Sequence, residues 1–339
     1  MVKVFASCFV ESCSRMGKTG ATNKQHQKVE ISNGAGIMDK DIFVPLWKAK
    51  GIVMHKGRGF TLVELLVVIA IIALLMSILM PALGRVRKQA KAVMCQASLK
   101  QWCIIFQAYT NDNDGYFHGE LGESADGGLS QGWVPALRPY YAGTRRRAVG
   151  ETQDSGAERG IRLCPIANSR FRSDGYLTGS FVAWGIYSED WNEEGGWAYA
   201  GDCGSYGLNG WVCNEDSSLD DWDQVGNLWR TADVKGAATV PLFMDCGWVD
   251  GWPQQYDNPP EWEGQIGTYI VQAMKQFCVN RHNKHVNALF LDCSIRTVGL
   301  KELWTLKWHR TFETDGDWTV AGGATPEMWP EWMKKFEDY

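Results

Sequence analysis

The sequence predicts an α+β protein, with a long kinked N-terminal helix packed on a mainly antiparallel β-sheet globular domain. The first half of that helix is expected to be transmembrane. Three observations carry this. Residues 60–80 are apolar with a single charge, Glu64. Helical spacing then continues for about thirty residues, to the turn-forming run Asn111-Asp112-Asn113-Asp114-Gly115. Beyond it lie short apolar or β-branched runs, separated by glycine-rich and acidic clusters, with no helix–strand alternation of the kind a doubly wound sheet needs.

The first element is a membrane helix by length. Twenty-one residues at 1.5 Å each span about 31 Å, close to the hydrocarbon thickness of a bilayer. Lys56 and Arg58 before it favour a cytoplasmic N-terminus, although Arg85, Arg87, Lys88 and Lys91 come after it. Glu64 is costly in lipid, by about 2.5–3.5 kcal/mol at a helix centre and less near an end. It either snorkels to the interface or needs a positive partner. Cleavage just before Phe60 would create one, an α-amino group four residues away on the same helical face. A carboxylate also suits the first turn of a helix.

Past Pro81, which removes a backbone donor and crowds the preceding turn, the second half of the helix (81–112) is expected to bury a stripe of Leu83, Val86, Ala90, Val93, Ala97, Ile104 and Ala108. The DND run invites a calcium-loop reading that fails. With Gly115 sixth, Thr110 and Leu121 occupy the first and twelfth positions, where carboxylates are needed. No metal ligand set is read from the sequence.

Composition narrows the function classes. Of the 339 residues, 1–59 carry 10 Lys/Arg against 4 Asp/Glu, and the remainder 24 against 35. No basic surface for nucleic acid is therefore expected after residue 60. Eight of the ten cysteines lie beyond residue 60 and none forms CxxC, which argues for disulfides over a zinc ribbon if this part lies outside the cytoplasm. Phosphate-binding glycine loops and HExxH are absent from the sequence, so no cofactor and no enzyme activity is expected.

Gly59 followed by Phe-Thr-Leu-Val-Glu and an unbroken apolar run to Pro81 resembles the class III signal of type IV prepilins and type II secretion pseudopilins. The resemblance covers 56 to about 114. It implies cutting between Gly59 and Phe60 by a prepilin peptidase, which also N-methylates Phe60. It implies that Glu64 neutralises the amine of a neighbouring subunit, and that Pro81 sits where such helices bend. Residues 54–59 are then a short basic leader. Residues 1–53 are either an artefact of start assignment, with translation beginning at Met54, or a long leader that processing removes.

The globular domain is assigned to 113–339. Strand candidates are 180–187, 205–209, 240–244, 288–291 and 294–298, and exposed loops are expected at 120–128, 148–160 and 189–196. Leu163-Cys164-Pro165, Ser205-Tyr206-Gly207-Leu208-Asn209 and Pro241-Leu242-Phe243-Met244-Asp245 occur in the order seen in a large bacterial pilin-like family. That family's C-terminal hallmark is a His, nine residues, then Asp-Gly. Here His282 and Asp292 keep the spacing, but Cys293 replaces the glycine. Either a position with φ > 0 is lost or the turn is built differently. His282 and Asp292 read as an acid–base pair, or as a hydrogen bond from the His that fixes a turn; the second is preferred, because no nucleophile accompanies them. The echo between 242–247 (LFMDCG) and 289–294 (LFLDCS) suggests a Cys246–Cys293 disulfide if the strands run side by side in register. Cys203–Cys213 is a second candidate pair.

These readings point to a structural subunit of a type IV pilus-like filament or secretion pseudopilus, held in a bacterial inner membrane with its domain periplasmic or extracellular. Its partners would be the prepilin peptidase/N-methyltransferase and other pilin or pseudopilin subunits, in homo- or hetero-filaments. Two alternatives remain open. One is a glycan-binding or adhesion module using Trp191, Trp197, Trp211, Trp222, Trp229, Trp248, Trp252 and Trp262, which could equally fill a loop-rich core. The other is a membrane-anchored enzyme.

Overall fold

Helix α1 (Leu62–Asp112) is a single 51-residue helix with Pro81 inside it. It stops where the sequence supplies turn formers. Gly115 N–H donates to Thr110 O, and Asp114 and Gly115 take φ of 53° and 84°, the left-handed conformation that commonly closes a helix. The computed structural model describes residues 61–119, 121–123, 129–141, 160–167, 169–170, 179–185, 202–214, 225–267 and 271–339. Met1–Thr61 is a unit of its own, and Leu62–Tyr339 forms the second, to which every element below belongs. Gly59, Phe60, the leader, most of the 148–160 loop and the 189–196 loop lie outside the described residues.

After α1 come β1 (Leu121–Glu123), β2 (Leu129–Gln131), α2 (Trp133–Tyr141), β3 (Ser169–Arg170), β4 (Val182–Gly185), β5 (Cys203–Gly204), β6 (Tyr206–Asn209), β7 (Pro241–Asp245), β8 (Asp250–Gly251), α3 (Met274–Phe277), β9 (His285–Phe290) and β10 (Ile295–Gly299). The main sheet has the order β10-β9-β7-β6-β8 and is antiparallel except where β8 joins β6 in parallel. A smaller sheet, β3-β4-β5, is likewise mixed. The five strand candidates correspond to β4, β6, β7, β9 and β10. The stretch read as a loop at 120–128 contains β1, which pairs with β2 as a hairpin.

α1 packs on β9, β10 and α2. Its buried face is Cys95, Ser98, Leu99, Trp102, Cys103, Ile105 and Phe106, spaced at three and four as one helical face requires. The Trp102 indole meets Phe106, Trp133, Tyr141 and Phe243 at centroid distances of 5.0–6.3 Å, and its Nε1–H donates to Ile161 O at 2.8 Å. This corrects the expected stripe. Leu83, Val86, Ala90, Val93, Ala97 and Ile104 are exposed and Ala108 is half-buried. At about 100° per residue the two faces are roughly 150° apart. The expected stripe tracked aliphatic residues, whereas the domain packs on the face that holds the aromatics and cysteines.

The tryptophans are mostly structural. Trp211, Trp229 and Trp252 are buried, Trp248 is half-buried, and Trp262 is 54% exposed; Trp191, Trp197 and Trp222 lie outside the described residues. In the tail, Trp304 donates to Asp257 O and stacks edge-on with Trp329, and Lys301 binds Asp338 at 2.6 Å. The C-terminal residues thus close over the end of β10.

The disulfide is Cys103–Cys293, not Cys246–Cys293. The echoing segments are neighbours, but β7 and β9 run antiparallel, with Phe243 opposite Leu289 and Met244 opposite Ala288. Cys246 and Cys293, each just past its strand, therefore sit at opposite ends of the ladder. Cys203 and Cys213 are not joined to each other either. Strand β6 lies between them, and its four extended residues separate its ends by about 10 Å, beyond disulfide reach. Cys293 itself keeps φ at +65°. Its N–H donates to Phe290 O, and Phe290 N–H donates to Ser294 O, the pattern of a type I turn followed by a left-handed bulge residue. The glycine conformation survives in a residue with a Cβ, tied to α1 through its sulfur.

Candidate functional site: an exposed apolar helix face and a buried Cys-Asp-His cluster

The first half of α1 presents apolar side chains in every direction. Every residue of 62–80 is exposed, Leu, Val, Ile and Met among them. Its polar groups fit an apolar medium. The Ser77 hydroxyl donates to Leu74 O at 2.7 Å, so its hydrogen is satisfied inside the helix. Glu64 stands in the first turn, where the helix dipole favours a carboxylate. α1 is long and apolar enough to cross a bilayer. The apolar surface continues past Pro81 through Leu83, Val86, Val93, Met94 and Ile104, the last 60% exposed.

On the opposite face, Cys95 joins Cys164, Asp245 and His282. Their ligand-type atoms all lie within 4.8 Å of one another. The Asp245 side chain is fully buried and that of His282 is 2% exposed. His282 Nε2 is 3.1 Å from Asp245 Oδ2 and 3.5 Å from Cys164 Sγ, and Cys95 Sγ is 3.7 Å from Asp245 Oδ2. Asp245 also accepts from the Asn287 backbone N–H at 2.9 Å and pairs with Arg281 at 3.3 Å. Arg281 spends its remaining donors on the carbonyls of Ser180, Val182, Ser205 and Cys246, which ties β4, β6 and β7 to the cluster. Tyr206 OH donates to Cys95 Sγ at 3.2 Å. Gly207 is obligatory beside it, since a Cβ there would meet Cys246 and Trp248 O at 2.7 Å.

Burial opposes charge throughout the cluster, and the partners overcome it in part. Burial disfavours the Asp245 carboxylate, but the hydrogen bond to His282 and the charges of His282 and Arg281 bring its pKa below the usual value. Burial likewise disfavours the His282 imidazolium, yet Asp245 and Cys164 raise its pKa to about 9. The Cys95 hydrogen bond lowers the Cys164 thiol to about 6, against burial and the Asp245 charge, with help from His282 and Arg281. Cys95 is pushed up, by burial first. At neutral pH the cluster therefore holds a carboxylate, an imidazolium and a thiolate beside a thiol.

The prokaryotic N-terminal methylation motif matches residues 54–80. The chain is also 43% identical over 63 residues to the type IV wide pilus major component PilA4 of Thermus thermophilus, a match covering 19% of this chain and 48% of the relative. The chain is type IV prepilin-like. It spans about half the length of that relative, and no solved structure matches it.

In this prepilin-like chain the expected processing pair, Gly59 and Phe60, lies outside the described residues, Glu64 heads the exposed helix, and Pro81 lies inside it. His282 and Asp292 are not brought together. They flank the six-residue β9, which holds them about 20 Å apart. Asp292 Oδ1 instead accepts from Ser294 N–H at 2.9 Å within its turn, and the partner of His282 is Asp245. The preference for a structural histidine pointed to the wrong aspartate. Sequence reasoning also missed Cys95 and Arg281, and it quoted Cys164, Tyr206 and Asp245 as motif letters without joining them. The signal was present, since the 163–165, 205–209 and 241–245 motifs and His282 supply residues to one buried centre.

Proposed function

We propose that the chain is a structural subunit of a type IV pilus-like or secretion-pseudopilus filament, processed between Gly59 and Phe60 by a prepilin peptidase/N-methyltransferase. The observation that carries this reading is the uncovered apolar surface of α1, which begins inside the methylation motif and runs on to Ile104. Residues 62–80 would anchor the precursor once in the inner membrane, with the domain on the periplasmic side. Residues 1–59 would be absent from the mature subunit. On assembly the apolar face packs against helices of other pilins or pseudopilins, Glu64 pairs with a neighbour's N-terminal amine and so sets register, and Pro81 provides the place for a bend. The domain then needs no catalysis. The glycan-binding reading loses Trp211, Trp229 and Trp252, whose rings are turned into the core.

Glu64→Ala in the full chain tests this. Membrane fractionation should be unchanged, while sheared filament fractions and electron micrographs should lose the subunit. Normal filaments from the variant would defeat the proposal.

A further inference from the structure

We propose that Cys95, Cys164, Asp245 and His282 form a tetrahedral site for a zinc-class divalent cation, which fastens α1 to the sheet domain. The donors are those such cations select once binding has displaced the Cys95 and His282 protons to solvent: two thiolates, an imidazole and a carboxylate. Their spacing fits. A tetrahedral zinc with sulfur at about 2.3 Å and nitrogen or oxygen at about 2.0–2.1 Å sets its ligand atoms roughly 3.3–3.8 Å apart. Two distances here fall in that range, 3.5 Å for Cys164–His282 and 3.7 Å for Cys95–Asp245; His282–Asp245 is closer at 3.1 Å, and all four donor atoms lie within 4.8 Å of one another. The four arrive from separate parts of the chain, Cys95 and Asp245 being 150 positions apart and Cys164 and His282 118. A bound cation would therefore cross-link the helix, the 160–167 segment, β7 and the turn before β9.

The surroundings complete the site. The Asn287 backbone N–H and Arg281 hold Asp245, and the Tyr206 hydroxyl donates to Cys95 Sγ, so outer contacts orient two of the four ligands; His282 Nδ1 finds no partner among the described residues. Two thiolates, a carboxylate and a divalent cation sum to −1, which the Arg281 guanidinium cancels. A buried centre with net charge near zero avoids the desolvation cost that would otherwise expel it. Four protein ligands leave no open position, so the role is structural.

The full chain, extracted in detergent without reductant and stripped of metal, is titrated with cobalt(II). One equivalent should produce the visible d–d bands of tetrahedral cobalt and a thiolate-to-cobalt charge-transfer band. Cys164→Ser should lose one thiolate contribution to that band. His282→Gln should keep both thiolates and alter the d–d envelope. Cys278→Ser, a buried thiol elsewhere in the core, should behave as wild type. If a ligand variant does not fold, the wild-type spectrum still decides. No charge-transfer band in wild type, a band unchanged by Cys164→Ser, loss of the band in Cys278→Ser, or a Cys95–Cys164 disulfide in a non-reducing peptide map would each overturn the assignment.

Discussion

The two apolar faces of α1 differ in what covers them. The face bearing Cys95, Leu99, Trp102, Cys103 and Phe106 is covered by the chain's own β9, β10 and α2. The face bearing Leu83, Val86, Val93 and Ile104, like all of 62–80, is covered by nothing among the described residues. Both are similarly apolar. Burying a large aliphatic side chain is worth roughly 1.5–3 kcal/mol, so the uncovered face holds free energy that only lipid or other helices can release. One helix therefore carries an internal surface that stabilises the fold and an external one that the proposed assembly would use.

The sharpest way to break this contrast is to truncate one residue on each face. Trp102→Ala should cost about 3–5 kcal/mol in denaturant unfolding, because it removes the centre of the aromatic cluster. Ile104→Ala, two residues on, should change stability by less than about 0.5 kcal/mol and still lower filament yield. A large stability loss from Ile104→Ala would erase the distinction.

Position 293 probes the inner face differently. In the chain-entropy view, the Cys103–Cys293 bond closes a separation of 190 residues and contributes up to about 5 kcal/mol. Cys293→Ser loses that link and keeps a Cβ at φ +65°. Cys293→Gly loses the link but relieves the backbone, so it should be about 1 kcal/mol more stable than the serine variant. Thermal melts of the pair decide it; a glycine variant no better than serine would argue against the bulged turn.

A smaller effect concerns acid. His118 is buried and its Nδ1 finds no partner among the described residues. Burial lowers its pKa to about 4. The unfolded chain, with His near 6.5, binds that proton first. This group therefore leaves stability unaffected above about pH 6.5, then reduces it by up to about 1.4 kcal/mol per pH unit down to about pH 4. His309, lowered to about 4 chiefly by burial, acts in the same direction. Urea midpoints measured across this range should fall less steeply for His118→Gln than for wild type.

How far the sequence could be read depends on what each signal encodes. The membrane half of α1 was legible because a run of apolar residues needs no partner to be recognised. Its inner face was not, because two apolar faces share the same helical period and the deciding residues were Trp, Phe and Cys. The strands were found by composition, but composition carries no strand direction. The LFMDCG and LFLDCS echo therefore suggested facing cysteines where antiparallel pairing separates them. The cluster was hidden for a related reason. Cys164, Asp245 and His282 were each noticed, yet only topology and the register of α1 bring them to Cys95.

The central claim is the proposed processing of the chain into a filament subunit, and the mass of the mature N-terminus tests it most directly. The account predicts a chain beginning at N-methylated Phe60, with residues 1–59 absent. A mature protein that retains Gly59, or an unmodified N-terminus elsewhere, would contradict it.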